Sequence, residues 1–106
     1  MTVRDTQKEL DIAKNIKMIE WLKTEVVETV AVLFRGFQQG SETLLKGGLA
    51  NLVVLSYLMA RRLGMRYSQF DSQIREQIRQ NLEMDDAFFD WREDLSILEE
   101  HFQNKK

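Results

Sequence analysis

Two carboxylates stand three residues apart in TEVVETVAVLF, the stretch from Thr24 to Phe34. On a helix, Glu25 and Glu28 would lie one turn apart, where their oxygens could share a hard cation such as Mg²⁺. Their setting is apolar: Val26, Val27, Val30, Ala31 and Val32 crowd around Glu28. A third polar group is Asn51, the one strongly polar side chain in LANLVVLSYLMA, Leu49 to Ala60. If the two segments form an antiparallel helical hairpin turning near Gly40, residues whose numbers sum to about 79 share a height. That arithmetic sets Glu28 level with Asn51, Glu25 with Val54 and Ala31 with Gly48, and predicts a small polar chamber between the helices. Two uses of it stay open. Either the acids hold a metal, or Glu28 and Asn51 hydrogen-bond each other and fix the helix register.

The elements that position these residues follow from the spacing. Ile12, Ile16, Ile19, Val26, Val30, Leu33 and Phe37 recur at three, four or seven residues and predict a long first helix with one apolar face. Gly40 fits a left-handed C-terminal cap, and Ser41 can cap a second helix over about Glu42 to Leu63. Arg61 and Arg62 complement the C-terminal end of that helix, with Gly64 behind them. Gly47 and Gly48 inside it each cost about 1 kcal/mol relative to Ala, which points to close helix contact or a locally weak turn. SQFD, Ser68 to Asp71, has the form of a capping box for a third helix striped by Phe70, Ile74, Ile78 and Leu82. Asp85 or Asp86 then caps a fourth, striped by Phe88, Trp91, Leu95, Leu98 and Phe102. Trp21 and Trp91 read as core residues on these stripes. The expected fold is all-α: a helical hairpin plus two further helices in one domain, 1–106, with a polar lead over 1–10 and a fraying tail over 103–106.

Composition narrows the function classes. The chain has 106 residues, a formal charge of −2, and 43% hydrophobic and 30% charged residues, so it offers no general attraction to nucleic acid or an anionic membrane. Proline is absent, against about 5% on average, which permits long helices throughout. Cysteine is absent as well, so there is no thiolate metal site and no thiol nucleophile, and a reducing cytoplasm is compatible. No targeting motif is visible. The longest apolar stretch, the twelve-residue segment Leu49 to Ala60, falls short of the roughly 20 residues a membrane helix needs, and no membrane partner is expected.

The order helix, ExxE, hairpin, then an apolar helix ending LANLVVLSYLMARRLG resembles the MazG-like branch of the all-α NTP pyrophosphohydrolase superfamily. The resemblance covers about Asp11 to Phe70, carried mostly by DIAKNIKMIEWLK and the segment after Gly48. In that superfamily EExxE on one helix and ExxD on the next hold Mg²⁺, which activates water for attack on a nucleoside triphosphate and stabilises the departing pyrophosphate. Residue by residue, Glu25 and Glu28 match the second and last Glu of EExxE, while Thr24 stands in place of the first. Gly48 and Asn51 stand where the Glu and Asp of ExxD belong. The resemblance therefore implies a MazG-like protein with reduced or lost Mg²⁺-dependent hydrolysis that keeps a helical oligomeric scaffold. Its alternative is an active enzyme whose cage is completed by a second protomer or by Asp86, Asp90, Glu93 and Asp94.

In an active site of this kind Glu25 and Glu28 would hold the metal, and Asn51 would orient a water or a metal oxygen. Lys46, Arg61 or Arg62 would neutralise phosphate charge. Arg61 and Arg62 also suit a helix C-terminus, and Arg75 and Arg79 suit a solvated helix face. His101, the single histidine, sits among Glu99 and Glu100 and reads as a surface residue. Assembly has its own motive. The first helix is apolar on more than one face between Val26 and Phe34 and the second nearly all round, so pairing two hairpins into a four-helix core predicts a homodimer or tetramer.

Overall fold

The computed structural model describes residues 3–84 and 90–104, the side chains of 3–5 excepted. They form four helices: α1 Val3–Gln39, α2 Glu42–Arg62, α3 Tyr67–Glu83 and α4 Arg92–Asn104. Among the described residues there is no strand. The chain divides into two compact units, Met1–Met65 and Arg66–Lys106. The expected caps Asp85 and Asp86, and Phe88 of the fourth stripe, lie outside the described residues.

In the first unit α1 and α2 form the antiparallel hairpin. The helix begins well before the periodic residues, so the polar lead is helical from Val3. The turn works as its residue types require. Gly40 adopts φ 62°, which suits a residue without a Cβ, and the Ser41 backbone N–H donates to Gly36 O at 2.9 Å. Ser41 then caps α2, its hydroxyl oxygen accepting from the Leu44 backbone N–H at 3.2 Å. At the far end Gly64, at φ 97°, lets the chain turn back so that the Met65 N–H reaches Ala60 O at 3.0 Å.

The hairpin's contact line is rotated from the expected apolar stripe. Leu22, Thr29 and Gly36 are buried on α1, and Gly48 and Leu55 on α2. These residues recur every seven positions, the spacing of a coiled-coil seam. Small residues bring the backbones together: a Cβ at Gly48 would lie 2.8 Å from Leu33 Cδ2, and one at Gly36 would lie 3.0 Å from Leu45 Cδ2. Gly47, by contrast, has nothing within 4 Å of the Cβ position, so the tight contact belongs to Gly48 alone of the pair. Because the seam runs through small side chains, Ile12, Ile16, Val30 and Phe37 of the expected stripe stay exposed.

In the second unit α3 packs against α4, and Ile78 and Leu95 are buried. Phe70, Ile74 and Leu82 are half-buried along the expected stripe, as is Phe102 on α4. The start of α3 differs from the expected capping box at Ser68. The helix begins at Tyr67, and it is the Arg66 backbone N–H that is capped, donating to Gln69 Oε1 at 2.8 Å. Ser68 is already helical, its carbonyl accepting from Ser72 Oγ at 3.1 Å.

Candidate functional site

Glu25 and Glu28 lie on adjacent turns of α1, with Cβ atoms about 5–6 Å apart at that spacing. Glu25 is half-buried and Glu28 is exposed. Counting about 100° per residue from Leu22, the residue of α1 turned most directly to α2, both fall on one flank of the hairpin, about 60° and 120° away. Trp21 lies on the same flank and is 50% exposed, so it is not the core residue that its apolar neighbours suggested. An indole thus sits one helical turn from Glu25 and two from Glu28. The sequence held that signal in the spacing of four and three, masked by reading Trp21 as part of a buried stripe.

The polar pair between the helices involves a different residue from the one expected. Asn51 Nδ2 donates to Thr29 Oγ1 at 3.0 Å, and Thr29 is 5% exposed. Glu28 is one residue away in sequence but about 100° round the helix, facing water. The cross-helix register differs from the expected one by a single position, 29 with 51 in place of 28 with 51. That shift replaces a carboxylate by a hydroxyl as the partner of Asn51, and no closed chamber around Glu28 results. Among the described residues no side-chain nitrogen or oxygen is buried without a partner. A second tie lies toward the open end of the hairpin, where Asn15 Nδ2 donates to Arg62 O at 3.1 Å.

The expected phosphate-binding cations are placed as follows. Lys46 pairs with Glu42 on its own helix, Nζ to Oε1 at 2.8 Å, with both side chains more than three-quarters exposed. Arg61 and Arg62 are exposed in the last turn of α2, as the helix-end reading required. On α3, Arg79 pairs with Glu76 at 3.1 Å. His101 is exposed, its ring edge-on to Phe102 with centroids 5.9 Å apart.

Magnesium requires near-octahedral coordination by oxygens, supplied by carboxylates, water and phosphate. The hairpin offers it two carboxylates from one helix, while Gly48 has no side-chain donor and Asn51, whose Nδ2 donates to Thr29, adds at most one neutral amide oxygen. Among the described residues no three His, Cys, Asp or Glu side chains come together as a metal-holding group. The residues of one hairpin do not make a magnesium cage.

Comparison with known proteins agrees with this helical frame. The model of the MazG-like family matches residues 12–95, four-fifths of the chain, spanning both carboxylates and Asn51. No curated protein and no solved structure matches it.

Proposed function

The chain belongs to the MazG-like family of the NTP pyrophosphohydrolase superfamily, and from that premise we propose that it is a scaffold member in which Mg²⁺-dependent nucleoside triphosphate hydrolysis is reduced or lost. The observation that carries this reading is the donor set. The family's acids are reduced to Glu25 and Glu28, and the residue at the last acid position of the second helix, Asn51, serves a structural hydrogen bond to buried Thr29. What is retained is the hairpin itself, with a seam built for close helix contact. We place its work in homo-oligomeric assembly in the cytoplasm, where a cysteine-free chain is suited to the reducing conditions.

The other reading, an active pyrophosphohydrolase, needs further acids. Asp90, Glu93 and Asp94 are exposed at the start of α4 and have the right chemistry. Asp86 lies outside the described residues.

Metal affinity separates the two. Titrating Mn²⁺ into the protein and following free Mn²⁺ by electron paramagnetic resonance should show only weak, millimolar uptake, the same in Glu28→Gln as in the parent. Micromolar uptake that Glu28→Gln removes would establish a working metal site and overturn the scaffold reading.

A further inference from the structure

Each position at which the superfamily pattern has lost an acid holds a contact internal to the hairpin. Thr24, in place of the first Glu of EExxE, turns its hydroxyl back on its own helix and donates to Glu20 O at 3.2 Å. Asn51, in place of the Asp of ExxD, donates to Thr29 Oγ1 at 3.0 Å across the seam. Gly48, in place of the Glu of ExxD, is buried, and the direction its side chain would take is filled. A Cβ there would meet Leu33 Cδ2 at 2.8 Å, Leu33 Cγ at 3.0 Å and Val32 Cγ1 at 3.7 Å.

The first two contacts would yield to an acid without repacking. Thr24 is exposed, so a longer side chain has water to extend into. Asn51 is also exposed, and an Asp of the same shape could accept from the Thr29 hydroxyl where the amide now donates. Gly48 is different. Carbon atoms pack at about 3.5–4.0 Å, and the branch carbon of Leu33 stands nearly as close as its methyl, so turning the methyl about the Cβ–Cγ bond does not clear the space. The glycine lets the helices approach, and the leucine fills what the absent side chain leaves.

We propose that Leu33 closes the magnesium position of α2, so that the chain lacks a metal site because of how its hairpin packs and not only for want of acids. A glutamate at residue 48 must displace Leu33 or part the helices before its carboxylate can serve as a ligand. This rests on the reading of the chain as a scaffold member and gives the loss of chemistry a physical cause. The contact that excludes the acid is the same contact that holds α1 against α2.

A carboxylate at 48 would also be costly simply because it is buried, so size and charge are tested apart. For size, Gly48→Ala and Leu33→Ala are made singly and together, and urea unfolding completes the cycle. Gly48→Ala should raise the urea midpoint in the Leu33→Ala protein and fail to raise it in the parent. For charge, Thr24→Glu and Asn51→Asp together form the starting protein, and Mn²⁺ uptake is followed by electron paramagnetic resonance. Adding Gly48→Glu with Leu33 intact should bind Mn²⁺ no more tightly than that starting protein. Adding Gly48→Glu with Leu33→Ala should raise the affinity at least about tenfold, since cation affinity follows the number of charged ligands.

Tight binding gained from Gly48→Glu with Leu33 intact would overturn the proposal, because only acids would then have been missing. A folded Gly48→Glu, Leu33→Ala protein with no gain in affinity would overturn it too, because Leu33 would not be what closes the position. Where the glutamate variants do not fold, the alanine cycle decides: an equal rise in midpoint from Gly48→Ala with and without Leu33 refutes the closure. Weak parental uptake with that failed cycle would remove this proposal alone, whereas micromolar uptake by the parent would remove the scaffold reading along with it.

Discussion

Asn51 Nδ2 donates a hydrogen bond to Thr29 Oγ1 across the α1–α2 seam at 3.0 Å, joining the one strongly polar residue of the apolar stretch Leu49 to Ala60 to a threonine that is 5% exposed. The bond fixes how far one helix can slide along the other. A slip of one residue would turn Glu28 or Val30 toward Asn51 and leave the Thr29 hydroxyl without its cross-helix partner.

Thr29→Val and Asn51→Leu should each lower stability, Thr29→Val by about 1 kcal/mol, the net worth of an ordinary hydrogen bond. The double variant should lose less than the sum of the two, because each single change already breaks the same bond. Urea unfolding of the four proteins provides the cycle. Additive losses would show that the two side chains do not act as a pair.

Gly47 and Gly48 should respond oppositely to alanine. Gly47 faces open space, so Gly47→Ala should gain about 0.5–1 kcal/mol from helix propensity. At Gly48 the added methyl would meet Leu33 Cδ2 at 2.8 Å and Cγ at 3.0 Å, and overpacking of about 1–3 kcal/mol should cancel or exceed the same gain. Equal stabilisation by both substitutions, read from urea midpoints, would mean that the helices do not approach through Gly48.

The hairpin turn depends on two residues with separate duties. Ser41→Ala removes the acceptor for the Leu44 N–H and should cost about 1 kcal/mol. Gly40→Ala forces a Cβ into the left-handed region at φ 62° and should cost about 1–2 kcal/mol. Thermal unfolding followed by circular dichroism checks both, and a neutral Gly40→Ala would contradict the turn geometry.

How much of this was legible in the sequence differs by residue. The turn between α1 and α2 and the end of α2 were, because Gly40, Ser41 and Gly64 have conformational or hydrogen-bonding properties that few other residues supply. The seam was not. Hydrophobic spacing selects the largest apolar side chains, such as Phe37 and Val30, whereas the contact line passes through Thr29, Gly36 and Gly48, where small volume allows close approach. That substitution of small for apolar rotated the buried face and carried the expected partner of Asn51 from Glu28 to its neighbour. Trp21, 50% exposed, departs from the expected core for the same reason: size and apolarity do not by themselves put a side chain on the seam. The family was legible from the order of its elements and the surviving ExxE, and its match over residues 12–95 bears this out.

Pyrophosphate release addresses the loss of chemistry most directly. The parent protein, at the concentration where its assembly state is known, would be given a panel of standard and modified nucleoside triphosphates with Mg²⁺ or Mn²⁺, beside Glu28→Gln. The scaffold reading predicts no release above background in either protein, with both folded. Metal-dependent release by the parent that Glu28→Gln abolishes would contradict it, and would mean that Glu25 and Glu28 are completed into a working site by acids from beyond the hairpin.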